Sequence, residues 1–393
     1  MKICHIAINN IFLPPYEGGG VHEVEIAKNL SLLGNEVHMF IDRRNEYENK
    51  IETINGINVK RLDVYRFKRK LFKGKRGTGS VVIKTGDFKQ KMKVIGVKIL
   101  GILLGLFSMP FIIKTAKNCD IIYERSSSFG AGTFVSLILR KPIVIEVVDT
   151  QKCGFLLKFA DGIITHFDNL IPKYINRSNI LVMENATDHE KFNPQVNSIK
   201  IRKKYGLERK LVLTYTGGFH PWHALDKIVI AAKKIVNEFS NVKFLMVGDG
   251  PEKENIIKMV DDIGLGKNFI FPGKVPYNQI PEFLAASDVL ISLYTDKMYF
   301  NSTITTKLCE YMSMGKPVVA YGIKEGLIRH RENGILIKPT EDLDKKLVEY
   351  CIQLLRNKKM RGNLGKKAWM VVCKISWKDK AKLTNDMFKK LLV

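Results

Sequence analysis

Twice along this chain a short β-branched run ends in glycine and gives way to a helical stretch, and this alternation constrains the fold more than any other feature. KICHIAI leads to Gly18, Gly19 and Gly20, after which VHEVEIAKNLSLLG carries Val24, Ala27, Leu30 and Leu33 at helical spacing and closes on Gly34. NEVHMFID, CDIIYERS, KPIVIEVVD and DGIITHFD read as further strands. RKLVLTYTGG, the helix HALDKIVIAAKKIVNEF and VKFLMVGDGP then restart the pattern, and NFIFPG, DVLISLY and KPVVAYG continue it around the helical TTKLCEYMSMG. Strands separated by helices form parallel sheets, so the chain is predicted as α/β. Its 393 residues exceed one core, which stops growing near roughly 250–300 residues. Two domains follow, with a linker near Asp188 to Lys200, where polar residues and Pro194 interrupt the apolar periodicity.

Charge is uneven. The net charge is +25, and Lys60 to Lys98 holds fourteen Lys or Arg against Asp63 and Asp87. A nearly uncharged run from Ile99 to Ile113 follows, interrupted by Gly101, Gly105 and Pro110. It is shorter than the ~20 residues needed to span a bilayer. Basic residues beside an apolar helix suit the surface of an anionic membrane, so the 60–114 segment is expected to seat there. A buried helix with a solvated basic loop is the plainer alternative. Nucleic acid is not expected as a partner, because the basic arm lacks interleaved aromatics and no zinc-finger or RNA-binding-sheet signature is present. The six cysteines are scattered, with no close pair at metal-ligand spacing and no secretory leader before Cys4. They are expected to be reduced core thiols in a cytoplasmic protein, peripheral on the inner face of the membrane.

Two clusters carry chemistry. EGGGVHEVE lies between a strand and a helix. Gly19 and Gly20 clear space for a backbone to approach an anion, and His22 is placed to donate to that anion or to cap. A tight turn without a ligand is the alternative. In NSTITTKLCEYMSMGKPVVAYG, Thr305 and Thr306 are placed to cap a helix. Lys307 adds positive charge in its first turn, and Glu310 follows one turn after Thr306. Helix N–H groups and Lys307 would hold a diphosphate while Glu310 accepts from ribose hydroxyls. A capped surface helix with an ordinary Lys and Glu fits the same spacing.

The stretch from Lys307 through Glu310 to Gly315-Lys-Pro317 resembles the signature of family four of the GT-B glycosyltransferases, retaining enzymes that use nucleotide-diphospho-sugars. CDIIYERS, ENATDHEKFNP, LTYTGGFHPW, MVGDGPEKE, FPGKVPYNQIPEFLAASDVLI and ISWKDKAKL fall in that family's order, so the likeness spans nearly the whole chain. It implies two Rossmann-like parallel-sheet domains facing across a cleft: residues 1–190 for the acceptor, joined by a C-terminal helix over 375–393, and 195–374 for the donor. It further implies Glu310 on the donor ribose, Gly19 and Gly20 facing the diphosphate, and Gly273 and Lys274 at the base. Arg125 and Glu146 fall on the acceptor side. On the residues alone, Arg125 reads equally as a surface salt-bridge partner and Glu146 as a buried structural carboxylate.

The chain departs from that family's pattern in two places. Ser302 stands where an earlier glutamate usually touches the donor sugar. The loop after the second domain's first strand has Gly217, Gly218, Phe219, His220, Pro221, Trp222 and His223 in place of the usual Arg and Lys. His220, His223 and Lys307 are therefore expected to share the leaving diphosphate. The implied activity is hexosyl transfer with retention of anomeric configuration onto a glycan or lipid-linked acceptor, with no cofactor beyond the nucleotide sugar and no metal. Asp342-Leu-Asp344 is read as acids suited to a helix start rather than a metal motif. A sugar hydrolase, a sugar-nucleotide epimerase of the same architecture and a non-catalytic nucleotide-binding regulatory protein are the rivals.

Overall fold

The computed structural model describes residues 1–8, 18–43, 49–63, 103–126, 130–147, 154–166, 171–176, 178–295 and 305–393. Most of the basic arm, and Ser302, lie outside the described residues. The chain divides into two compact units.

The first unit holds strands β1 (Lys2–Ile6), β2 (Glu36–Asp42), β3 (Ile51–Ile54), β4 (Ile57–Leu62), β5 (Ile121–Arg125), β6 (Ile143–Val147), β7 (Gly162–Thr165) and β8 (Ile180–Val182) in the order β3-β4-β2-β1-β5-β6-β7-β8. All pairs are parallel except β3 with β4, a hairpin turned by Asn55 and Gly56, both at positive φ. β1 and β5 are buried at nearly every position, as a strand covered on both faces must be. The helix Trp377–Leu391 returns to this sheet: Phe388 packs 5.4 Å from the Tyr123 ring, and a Cβ on Gly162 would lie 3.1 Å from Leu391. The helix over residues 103–116 buries Leu104, Ile112 and Ala116 but exposes Leu103, Leu106, Phe107 and Phe111. Among the described residues no helix is long and apolar enough to cross a membrane.

The second unit runs from Glu184 to Trp377. Its strands β9 (Leu211–Thr216), β10 (Val242–Val247), β11 (Phe269–Gly273), β12 (Val289–Leu293), β13 (Val318–Tyr321) and β14 (Ile335–Ile337) lie in the order β11-β10-β9-β12-β13-β14, every pair parallel. The helix Leu225–Glu238 buries Leu225, Ile228, Val229, Ala232 and Ile235 on one stripe of helical period, in one core with Leu347, Cys351 and Leu354 of the helix Leu343–Arg356. Asp342 caps that second helix by accepting from Lys345 N at 3.1 Å, and Asp344 pairs with Lys227 at 2.9 Å.

In each sheet the strand order reverses beside the first strand, between β1 and β5 and between β9 and β12. Ligands of open α/β sheets bind beyond the carboxyl ends of strands at such points. Four cysteines (Cys4, Cys119, Cys309 and Cys351) are buried free thiols. Cys373, expected in a core, is exposed near the end of its helix, and Cys153 lies outside the described residues.

Candidate functional site

The carboxyl ends of β9, β10 and β11 are tied together by turns that only glycine can form. Gly217 N donates to Val247 O, Gly248 N to Gly273 O and Phe219 N to Asp249 O, at 2.9, 3.0 and 2.9 Å. Gly248 has φ +144, and a Cβ there would lie 1.9 Å from the Gly217 carbonyl oxygen. Gly273 also has positive φ, and Lys274 after it is exposed.

Against this floor stands the helix Thr306–Ser313. Thr305 caps it, its hydroxyl accepting from Leu308 N at 3.2 Å, and Thr306 Oγ1 donates to Asn185 Oδ1 at 3.1 Å. The cap turns Lys307 inward. Its Nζ lies 4.1 Å from the Tyr215 ring centroid and 5.5 Å from that of Tyr294, and it makes no hydrogen bond to any described residue. A Cβ on Gly217 would sit 2.8 Å from that nitrogen, so the missing side chain makes the room Lys307 occupies. Burial drives its ammonium down to about 7, opposed in part by the charge of Glu310. Glu310, one turn on, is buried and accepts from Tyr277 Oη at 2.7 Å.

His223 is buried, 5.0 Å ring to ring from Tyr294, with no hydrogen bond at Nδ1 from a described residue. Burial, then the charge of Lys307, pushes it down to about 2, so the imidazole is neutral in the free protein. His220 stacks on Trp222 at 4.4 Å and covers Gly218, where a Cβ would meet its ring at 2.7 Å. The structure thus gathers Gly217, Gly218, His220, His223, Lys307 and Glu310 at the strand-order reversal of one sheet. Tyr215, Tyr277 and Tyr294 escaped the sequence reading, since nothing in a lone tyrosine distinguishes a cradle from core.

The first unit holds a second polar group at its own reversal. The helix starts at Gly18, so Gly19 and Gly20 form its first turn rather than a loop before it. His22, expected at the helix start as cap or anion donor, instead lies buried a turn inside, with Nε2 at 2.5 Å from Glu146 Oε1. Burial raises the Glu146 carboxyl, but His22 and His166 outweigh it and hold it well below the carboxylate range. Burial lowers the His22 imidazole, and Glu146 more than reverses that. Arg125, slightly exposed, is a salt-bridge partner, pairing with Glu23, which is fully buried and hydrogen-bonded to His5 Nε2 at 2.8 Å.

Residues 197–369, within the second unit, match the family model described as Glycosyl transferases group 1. The chain is 30% identical over 173 residues to N-acetyl-alpha-D-glucosaminyl L-malate synthase of Bacillus anthracis, a match covering 43% of this chain and 42% of that protein. The chain thus spans less than half the length of this curated relative. Sucrose-phosphate synthase from Thermosynechococcus elongatus shares the fold at TM-score 0.71 and 15% identity, covering 99% of this chain and 98% of that one. Anabaena HepE, solved with UDP and glucose, does so at TM-score 0.71 and 18% identity, covering 99% and 100%. The architecture is that of GT-B glycosyltransferases, two parallel-sheet α/β units.

Proposed function

We propose that this protein is a retaining hexosyltransferase of family four, moving a sugar from a nucleotide-diphospho-sugar to a glycan or lipid-linked acceptor at a membrane surface. The observation that carries the reading is Lys307: a buried ammonium without a hydrogen-bond partner among the described residues, in the first turn of a helix, one turn from a buried carboxylate. A diphosphate supplies what that nitrogen lacks, and the helix start adds N–H donors and a positive dipole end. Glu310 then receives ribose hydroxyls. HepE, which shares the fold, was solved with UDP and glucose, which supports a nucleotide-sugar donor.

In the transfer, charge builds on the departing diphosphate while the sugar becomes oxocarbenium-like. Lys307 is placed to meet that charge as it forms, so no metal is needed at the phosphates. Acceptor binding is assigned to the first unit, around Arg125 and Glu146. The membrane reading rests on the exposed Leu103, Leu106, Phe107 and Phe111 beside exposed Lys114 and Lys117, on a cytoplasmic-face anionic surface.

Thermal unfolding with a panel of nucleoside diphosphates and their sugars tests the donor site. A ligand at 100 times its Kd adds about 2.7 kcal/mol of stability. The expected result is a marked rise in Tm with one nucleoside diphosphate, little with its nucleoside, and none in Lys307→Met. Equal stabilisation of that variant would remove Lys307 from the site.

A further inference from the structure

Among the described residues, one group of three ligand-type side chains has donor atoms that converge. One such atom from each of His22, Glu146 and His166 lies within 4.8 Å of the others, and all three residues are buried. They come from different elements: His22 from the second turn of helix Gly18–Leu32, Glu146 from β6, and His166 just past β7.

Glu146 and His166 are each set by a further contact. Tyr123 Oη donates to Glu146 Oε2 at 2.5 Å, while Oε1 is the oxygen that approaches both histidines. The Met183 carbonyl, which can only accept, lies 2.9 Å from His166 Nδ1. The ring hydrogen of a neutral His166 therefore sits on Nδ1, and the lone pair on Nε2. That nitrogen is 3.9 Å from Glu146 Oε1. An imidazole oriented by a backbone carbonyl and a carboxylate oriented by a hydroxyl are the supports that metal ligands use.

We propose that His22, Glu146 and His166 bind one divalent transition-metal ion of the zinc type, through the two Nε2 atoms and Oε1. Two imidazoles and a single carboxylate suit Zn2+ or Co2+, whereas Mg2+ and Ca2+ favour oxygen shells. Donors around a tetrahedral ion with bonds of about 2.0–2.1 Å stand roughly 3.4 Å apart. The contacts at 2.5 and 3.9 Å bracket that spacing, so loading releases to solvent the proton held between His22 Nε2 and Glu146 Oε1 and asks His22 to retreat by about 1 Å and His166 to advance by about half as much. Arg125, whose charge reaches Glu146, is offset by its own partner Glu23. With one carboxylate in the set, the loaded site keeps an excess positive charge. Hydroxide or an anionic oxygen ligand completing the coordination would offset it. The site is independent of the donor reading, since Lys307 and Glu310 belong to the other unit.

The test titrates the full chain, stripped with chelator and dialysed, with Co2+ and then Zn2+, read by visible absorption and calorimetry. One Co2+ per chain is expected, with the d–d bands of a four- or five-coordinate ion, displaced by Zn2+ and unaffected by Mg2+. His166→Asn and Glu146→Gln should each weaken binding at least about tenfold, and Zn2+ should raise the wild-type Tm but not theirs. No Co2+ bands in the wild type overturns the proposal whatever the variants do. So do bands of unchanged intensity and affinity in folded His166→Asn and Glu146→Gln, because the ion would then sit elsewhere.

Discussion

Tyr277 donates its hydroxyl hydrogen to Glu310 Oε1 at 2.7 Å, joining the stretch after β11 to the second turn of the helix Thr306–Ser313. The bond presets the carboxylate that the proposed donor's ribose would meet.

Tyr277→Phe removes that preset and keeps the ring. A hydrogen bond to a charged group is worth about 1.5–3 kcal/mol, so kcat/KM for the donor should fall roughly 10- to 150-fold. Glu310→Ala should abolish turnover while leaving the far-UV spectrum intact. Wild-type kinetics in Tyr277→Phe would show that the hydroxyl positions nothing.

Lys307 makes the free protein's stability depend on pH. Its folded value of about 7 lies below the ordinary lysine value of 10.5, so between these limits the unfolded chain binds the extra proton and stability rises with pH. The penalty is full below about pH 7 and fades toward the ordinary lysine range. Lys307→Met should therefore be more stable than wild type near pH 7, by about 2 kcal/mol, and the gap should narrow by pH 10. Urea unfolding of both proteins at the two pH values reads this. A gap that does not change with pH would mean that Lys307 stays fully protonated throughout.

Gly248 and Gly34 separate two costs of adding a methyl group. Both have positive φ, but a Cβ at Gly34 meets nothing within 4 Å, whereas at Gly248 it lies 1.9 Å from the Gly217 carbonyl oxygen. Gly34→Ala should cost about 1 kcal/mol from backbone conformation alone. Gly248→Ala should cost about 3 kcal/mol or more, with loss of nucleotide binding as the Gly217 turn shifts. Denaturant midpoints compare them, and equal losses would contradict the packing argument.

Arg125, only slightly exposed, pairs with the fully buried Glu23, so truncating it removes the cation that offsets that carboxylate. Arg125→Ala should destabilise by about 3–5 kcal/mol, while Arg125→Met combined with Glu23→Gln should lose much less. If instead Arg125→Ala unfolds like wild type but loses acceptor affinity, the residue serves the acceptor and not the fold.

Phe107 and Phe111 stand exposed on the helix over residues 103–116, their rings 6.2 Å apart. Replacing both with Ser should cut binding to anionic vesicles at least about tenfold and leave turnover of a water-soluble acceptor unchanged. Co-sedimentation at low and high salt measures it. Undiminished binding would shift the membrane contact to another surface.

What could be read along the chain was local. Val24, Ala27 and Leu30 at helical spacing mark a helix, and a Thr305 hydroxyl capping Leu308 N lies within one turn, so hydrogen bonding and periodicity among near neighbours announced both. The alternation of such elements was enough for two parallel sheets. Glycines at strand ends marked where backbones approach closely, though not that Gly217 makes room for a lysine. That depended on the register of β9 beside β12, which brings Tyr215 and Tyr294 around Lys307. The same holds for His22, Glu146 and His166, which no linear motif connects: only the order of strands in the first sheet carries β6 and β7 to the helix that bears His22. Side chains far apart in sequence meet through strand pairing and packing, and those are properties of the folded whole.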